Sequence, residues 1–262
     1  MDSYGILYQD QEGTLECAVS SIKRKGFYVF RSDMDHEEIE NIKYVFSKAY
    51  ALYGEKYKSL EDIDEHNTIR CPLLLDKVFL KIASNKKVLG VVKSLMGDNF
   101  ILNQQNAIIN PAKSSYNQAL WHRDLPYQHF VSSRPLAINA LYCVDSFNGD
   151  NGGTWVIPGS HLFENYPSLQ YANENKIQVA ANEGDIIIID SMLYHRGGDN
   201  MSSEQRRAVN NVYSSPIIRR QIDFEEDDIP YPLSDADKKV LGLSFKSYTS
   251  VSEYLNSRQS KK

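Results

Sequence analysis

The 262-residue chain holds only three cysteines, Cys17, Cys71 and Cys143, widely spaced and without a Cys-x-x-Cys pair. So small a number excludes a disulfide framework and a thiolate zinc site, and any metal must be held by nitrogen and oxygen. No run of about 18 apolar residues occurs, which removes a membrane-spanning helix from consideration. The opening stretch, MDSYGILYQDQEG, lacks a basic segment followed by an apolar one, so the expectation is a cytoplasmic protein with no membrane partner. Clustered cations are scarce too: the formal net charge is −5, and no long run of Lys and Arg interrupts it. Nucleic acid, whose affinity rests on neutralised phosphates, is therefore not an expected partner. Neither an internal repeat nor a Ser/Gly-rich linker breaks the chain.

What is present is ordinary globular chemistry, with 42% hydrophobic and 24% charged residues, enough for a real core. Phe27 to Phe30 reads as a strand, and Asp33 or Asp35 as the N-cap of a helix with Glu37 and Glu38 in its first turn. Ile39, Ile42, Val45, Phe46, Ala49 and Leu52 follow at helical spacing. LLLDKVFLKIASNKKVLGVVKSLMGDN predicts two helices broken near Ser84 and Asn85, the second stopping at Gly97. From Phe100 the texture turns to strands: FILNQQNAIIN, RPLAINALYCVD, GDIIIID and RRAVNNVYSS, punctuated by Gly, Asn and Pro clusters. Even spacing of this kind suggests a double-sheet barrel. The expected organisation is one domain over 1–262: helical support over about 20–98, a double-stranded β-helix (jelly-roll, cupin-like) core over about 99–216, and an acidic C-terminal extension over 217–262.

In ALWHRDLPYQHF, His122 and Asp124 lie two apart, so on an extended strand they share a face while Arg123 points away. An imidazole and a carboxylate on one face can ligate a divalent first-row metal if a third ligand arrives from elsewhere. Alone, such a triplet is common and carries little weight. His195 alters that weight: it follows the apolar GDIIIID stretch 73 residues later and completes a two-histidine, one-carboxylate triad with three open coordination positions. Arg206 lies 11 residues beyond His195, at the start of an alternating strand. On an antiparallel neighbour of the His195 strand it can grip a carboxylate bidentately, which makes room for a dicarboxylate co-substrate.

An ordered set of motifs now stands out: GFYVF before an acidic helix, LMGDNF ahead of the first barrel strand, WHRD, NGGTWVIPGSH, and a histidine followed 11 residues on by RR. Over roughly residues 20–215 the sequence resembles the phytanoyl-CoA dioxygenase family of non-haem iron(II), 2-oxoglutarate-dependent oxygenases. The resemblance implies that His122, Asp124 and His195 are the iron(II) ligands and that Arg206 holds 2-oxoglutarate. It also implies that O2 is consumed with formation of succinate and CO2, and that a C–H bond of a small metabolite is hydroxylated. Halogenases of the wider superfamily lack the carboxylate, so Asp124 implies oxidation and not chlorination. Strand alternation turns Arg207 outwards. Members often carry a serine two residues after the distal histidine where this chain has Gly197; Gln104 and Asn106 are the expected substitutes at the co-substrate. His161 is expected to be structural. Arg123, Tyr127, His129 and Arg134 are the expected mouth residues facing substrate, and the protein is expected to be a monomer or homodimer. Two alternatives stay open: a non-catalytic cupin-like barrel binding a metal or metabolite, and a zinc hydrolase, in which Arg206 would have no evident task.

Overall fold

The structure, a computed structural model, describes residues 11–58, 60–114, 117–125, 130–245 and 248–259. Helix α1 (Leu15–Lys25) begins at Thr14, whose hydroxyl accepts the Cys17 amide, and ends at Gly26 in the left-handed region at φ 87°. A side chain there would collide with Leu193 and His161. Strand β1 (Phe27–Phe30) follows, then α2 (His36–Lys56). Of the two candidate caps Asp35 is the one used, in a reciprocal capping box with Glu38. Its apolar face is buried from Ile39 to Ala49, while Leu52 lies beyond the packed stretch and is exposed. A short strand β2 (Thr68–Arg70) precedes α3 (Lys77–Ala83) and α4 (Lys86–Met96), which break at Ser84 and Asn85 as the sequence predicts.

The strands β3 (Ile101–Asn110), β4 (Ala137–Cys143), β5 (Trp155–Val156), β6 (Ile177–Gln178), β7 (Ile186–Asp190), β8 (His195–Arg196) and β9 (Arg206–Ser214) complete a jelly roll, with α5 (Leu169–Asn175) inserted before β6. Six strands form the large sheet in the order β1-β7-β4-β9-β3-β2, and three form the small one, β6-β5-β8; every pairing is antiparallel. Period-two alternation divides the large sheet between two cores. On β7, Ile186 and Ile188 face the helices with Phe46, Phe79 and Tyr213, while Ile187 and Ile189 face the barrel interior with Phe147, Val156 and Ala208. Burial on both faces is why this strand reads as an unbroken apolar run.

The C-terminal segment carries helices α6 (Asp235–Val240) and α7 (Val251–Gln259). It is more than an extension. Phe224, Ile229, Val240 and Leu241 are buried in the helix-side core, and the Tyr231 hydroxyl donates to the Leu73 carbonyl at 2.6 Å. Among the described residues no helix is long and apolar enough to cross a membrane.

Strand β7 ends at Asp190, whose buried carboxylate accepts the Met192 amide at 2.9 Å and so fixes the turn toward β8. Burial pushes this carboxyl up to about 7, against the opposing effects of the Met192 amide and Arg123. In the unfolded chain it would titrate near 4. Between those values the native state binds the extra proton, so stability falls as pH rises across that window. Unfolding titrations of the wild type and Asp190→Asn should therefore diverge from about pH 4 to about pH 7 in favour of the variant and run parallel above it. A difference independent of pH would contradict this account.

Candidate active site

The site is built on one backbone contact. The His122 amide donates to the His195 carbonyl at 2.9 Å and the His195 amide returns the bond at 3.0 Å, so this isolated bridge adds a rung beside β8. Directly opposed residues project to the same side of a sheet, and the two rings lie 4.5 Å apart, centroid to centroid. Asp124, two residues on, is anchored by its amide to the Ser191 carbonyl at 3.0 Å. Its Oδ1 stands 3.2 Å from His122 Nε2 and 3.6 Å from His195 Nε2.

Each ring meets a carbonyl two residues upstream: His122 Nδ1 that of Leu120 at 2.7 Å, His195 Nδ1 that of Leu193 at 2.9 Å. A carbonyl only accepts, so Nδ1 carries a proton and Nε2 is the atom that the neutral ring would offer to a metal. The three donor atoms all lie within 4.8 Å of one another. Adjacent ligands about 2.1 Å from a shared ion stand about 3 Å apart, so this donor set fits a divalent ion with little rearrangement. Burial alone would raise the Asp124 carboxyl, but the two histidines, His195 foremost, and the Asn139 amide hold it well below the usual carboxylate range. Burial disfavours charge on both rings; at His122 the carboxylate outweighs it and raises the pKa, whereas at His195 burial prevails and lowers it. An ionised carboxylate beside a neutral His195 is the state that ligates a metal.

Behind the triad lies a relay that the sequence reading missed. Ser191 Oγ donates to Asn139 Oδ1, and Asn139 Nδ2 donates to Asp124 Oδ2, leaving Oδ1 for a metal. An amide inside the apolar strand LAINALY was the available signal.

His122, Asp124 and His195 line one pocket together with Arg206, Asn139, Thr154, Gln118 and Asn210, and with the apolar Ile108, Leu141, Ile189 and Ala208. Arg206 is buried; its Nη2 donates to the Gly152 carbonyl at 2.9 Å and its guanidinium carbon sits 3.9 Å from the Phe147 ring centroid. Arg207 points to the other side of the sheet, where Asp145 receives it bidentately at 2.9 Å.

The strand rungs place the remaining predicted residues. Arg206 pairs with Asn110, Ala208 with Ile108, Asn210 with Asn106 and Val212 with Gln104, and Val212 also faces Asn139. Gln104 and Asn106 thus share the inward face but stand at the Asn139 end, away from Arg206, and Arg70 Nη1 donates to the Asn106 side-chain Oδ1 at 3.2 Å. Arg123 is a correction. Expected at the mouth, it is 2% exposed and donates to the carbonyls of Ser160, Phe163 and Glu164 at 2.7–3.0 Å. Alternation turns it away from the ligand face, and a neighbouring loop closes over it. Arg134 is exposed and lines a separate depression with Asp190, His161 and Met192. His161 is buried, its Nε2 3.3 Å from the Lys23 carbonyl at the end of α1. Tyr127 and His129 lie outside the described residues.

Two substitutions separate these roles. Asn139→Ala should weaken divalent-metal affinity roughly 10–100-fold, read by Co(II) or Fe(II) titration, with the fold retained in the far-UV spectrum. Arg123→Met strands three carbonyls, so thermal unfolding should show a loss of roughly 2–4 kcal/mol with metal affinity of the folded protein little changed.

A family model described as phytanoyl-CoA dioxygenase (PhyH) matches residues 22–208. Uncharacterized protein Rv1501 of Mycobacterium tuberculosis is 27% identical over 198 residues, 72% of each chain. The iron/alpha-ketoglutarate-dependent dioxygenase ausO of Aspergillus calidoustus is 25% identical over 195 residues, 69% of this chain and 63% of the relative. Among solved structures, EctD from S. alaskensis with 2-oxoglutarate and 5-hydroxyectoine superposes with a TM-score of 0.62 at 20% identity, covering 75% of this chain and 74% of that one, a likeness of fold. The family match runs through both histidines, Asp124 and Arg206, and the chain belongs to the phytanoyl-CoA dioxygenase family as an iron(II)- and 2-oxoglutarate-dependent dioxygenase.

Proposed function

We propose that this protein hydroxylates an unactivated C–H bond of a small metabolite, with His122, Asp124 and His195 holding iron(II) and Arg206 binding 2-oxoglutarate. The observation that carries the reading is that all four side chains line one pocket. When bound, the iron would supply oxygen activation coupled to oxidative decarboxylation of the co-substrate, giving succinate and CO2.

The protein's own contributions follow from its geometry. Arg206 is aimed before any ligand arrives, because the Gly152 carbonyl and the Phe147 face fix its plane, and a planar fork held this way favours a carboxylate over a neutral group. The apolar walls Ile108, Leu141, Ile189 and Ala208 keep water sparse around the reacting atoms. Asp124 occupies the third protein-ligand position, which supports hydroxylation and not halide transfer.

Anaerobic addition of Fe(II) and 2-oxoglutarate should give a weak visible charge-transfer band, and aerobic turnover should release succinate. Asp124→Ala should abolish both. Arg206→Gln should keep metal binding but raise the 2-oxoglutarate dissociation constant roughly a hundredfold, the scale of a lost bidentate charge-assisted pair. Succinate formation that survives Asp124→Ala would refute the ligand assignment, and a wild type with no band would favour a metabolite-binding barrel.

A further inference from the structure

We infer that the depression between the segment after β9 and the turn after α6 is a second binding site, apart from the iron pocket, for a singly charged organic carboxylate with an apolar body, and that Arg220 is its anchoring cation. The other guanidinium groups described above meet oxygen: Arg70 the Glu65 carboxylate, Arg207 that of Asp145, and Arg123 and Arg206 backbone carbonyls. Arg220 does not. Among the described residues it forms no hydrogen bond or ion pair, and its Nε and Nη2 are buried without a partner. Groups that accept nothing seal it. Its guanidinium carbon lies 4.8 Å from the Phe224 ring centroid, and a Cβ on Gly242, left-handed at φ 70°, would sit 2.6 Å from Nη2. Burial lowers the Arg220 pKa against the attraction of Asp223, Cys71 and Glu225, yet a guanidinium stays charged. A half-buried cation of this kind is costly until an anion meets it.

The surroundings of Arg220 decide which anion fits. Ile101, Pro216, Ile217 and Phe245 give the depression apolar walls, which favour a body that leaves water. Arg219 and Asp223 also line it, with Arg219 Nη2 3.8 Å from Asp223 Oδ2 and both side chains largely exposed. The Asp223 carboxylate repels a dianion such as phosphate more than a single charge. The seat is fixed before any ligand arrives: Asn103 Nδ2 donates to Ser214 Oγ at 2.9 Å and to the Ile218 and Arg219 carbonyls at 3.1 and 3.3 Å, tying the segment before Arg220 to β3 and the end of β9. No residue of this depression lines the pocket of His122, Asp124, His195 and Arg206.

The test is isothermal titration of the full-length protein with benzoate, with benzamide as a neutral body of similar shape and inorganic phosphate at mildly alkaline pH as the dianion. Benzoate should bind the wild type and Arg206→Gln alike, which separates this site from the co-substrate arginine. Arg220→Met should weaken benzoate binding roughly tenfold or more, the scale of a charge-assisted hydrogen bond, and Arg220→Lys, which keeps the charge, should lose less. Benzamide and phosphate should each bind the wild type roughly tenfold more weakly than benzoate does. With no anion added, Arg220→Met should unfold no earlier than the wild type, because it removes a charge that has no partner. Absence of benzoate binding to the wild type, loss of that binding in Arg206→Gln, or its persistence unchanged in Arg220→Met overturns the inference. Phosphate binding as tight as benzoate overturns it as well, leaving a cationic surface without a preference for carboxylates.

Discussion

Two reciprocal hydrogen bonds between the His122 and His195 backbones set the spacing on which the whole site depends. They join segments 73 residues apart in the chain and force their side chains to one side. Everything else reinforces that rung. The Nδ1 contacts to the Leu120 and Leu193 carbonyls fix both rings from behind. The turn closed by Asp190 presents the Ser191 carbonyl to Asp124 and the Ser191 hydroxyl to Asn139, so one turn positions the carboxylate through its backbone and through its side-chain relay. A donor set assembled before metal arrives avoids most of the ordering cost of binding.

Strand parity then distributes charge. Arg206 and Arg207 are adjacent, yet one enters the apolar pocket and the other pairs with Asp145 on the helix side. The same rule separates Arg123 from His122 and Asp124, which flank it. Arg123 and Arg206 are buried and Arg207 half-buried, each with carbonyl or carboxylate oxygens arranged for it, which is how the fold tolerates these cations.

Parity was legible in the sequence, and so were the elements that depend on local signals. The Asp35 box, the break at Ser84 and Asn85 and the apolar β7 all follow from nearest-neighbour chemistry. The shared side of His122 and Asp124 could be read because alternation within a strand needs no partner, whereas the expected antiparallel pairing of the His195 and Arg206 strands is not what the fold makes: β8 pairs with β5 in the small sheet and β9 with β3 and β4 in the large one. What could not be read depended on which strand lies beside which. Asn139 matters because β4 passes Asp124, and that neighbour leaves no local trace. Arg123 was misplaced for a related reason: parity sends it outwards, but only the fold shows the loop that covers it. The burial of Phe224, Ile229 and Leu241 was hidden by the acidic residues around them.

The grip of Arg123 on the loop from Ser160 to Glu164 is made entirely through backbone oxygens. Such a clamp is indifferent to which side chains the loop displays, and Leu162 and Phe163 are already turned to solvent. Descendants of this chain could therefore rewrite that surface residue by residue while the strand bearing His122 and Asp124 stays in place, separating what must be inherited from what is open to evolutionary change.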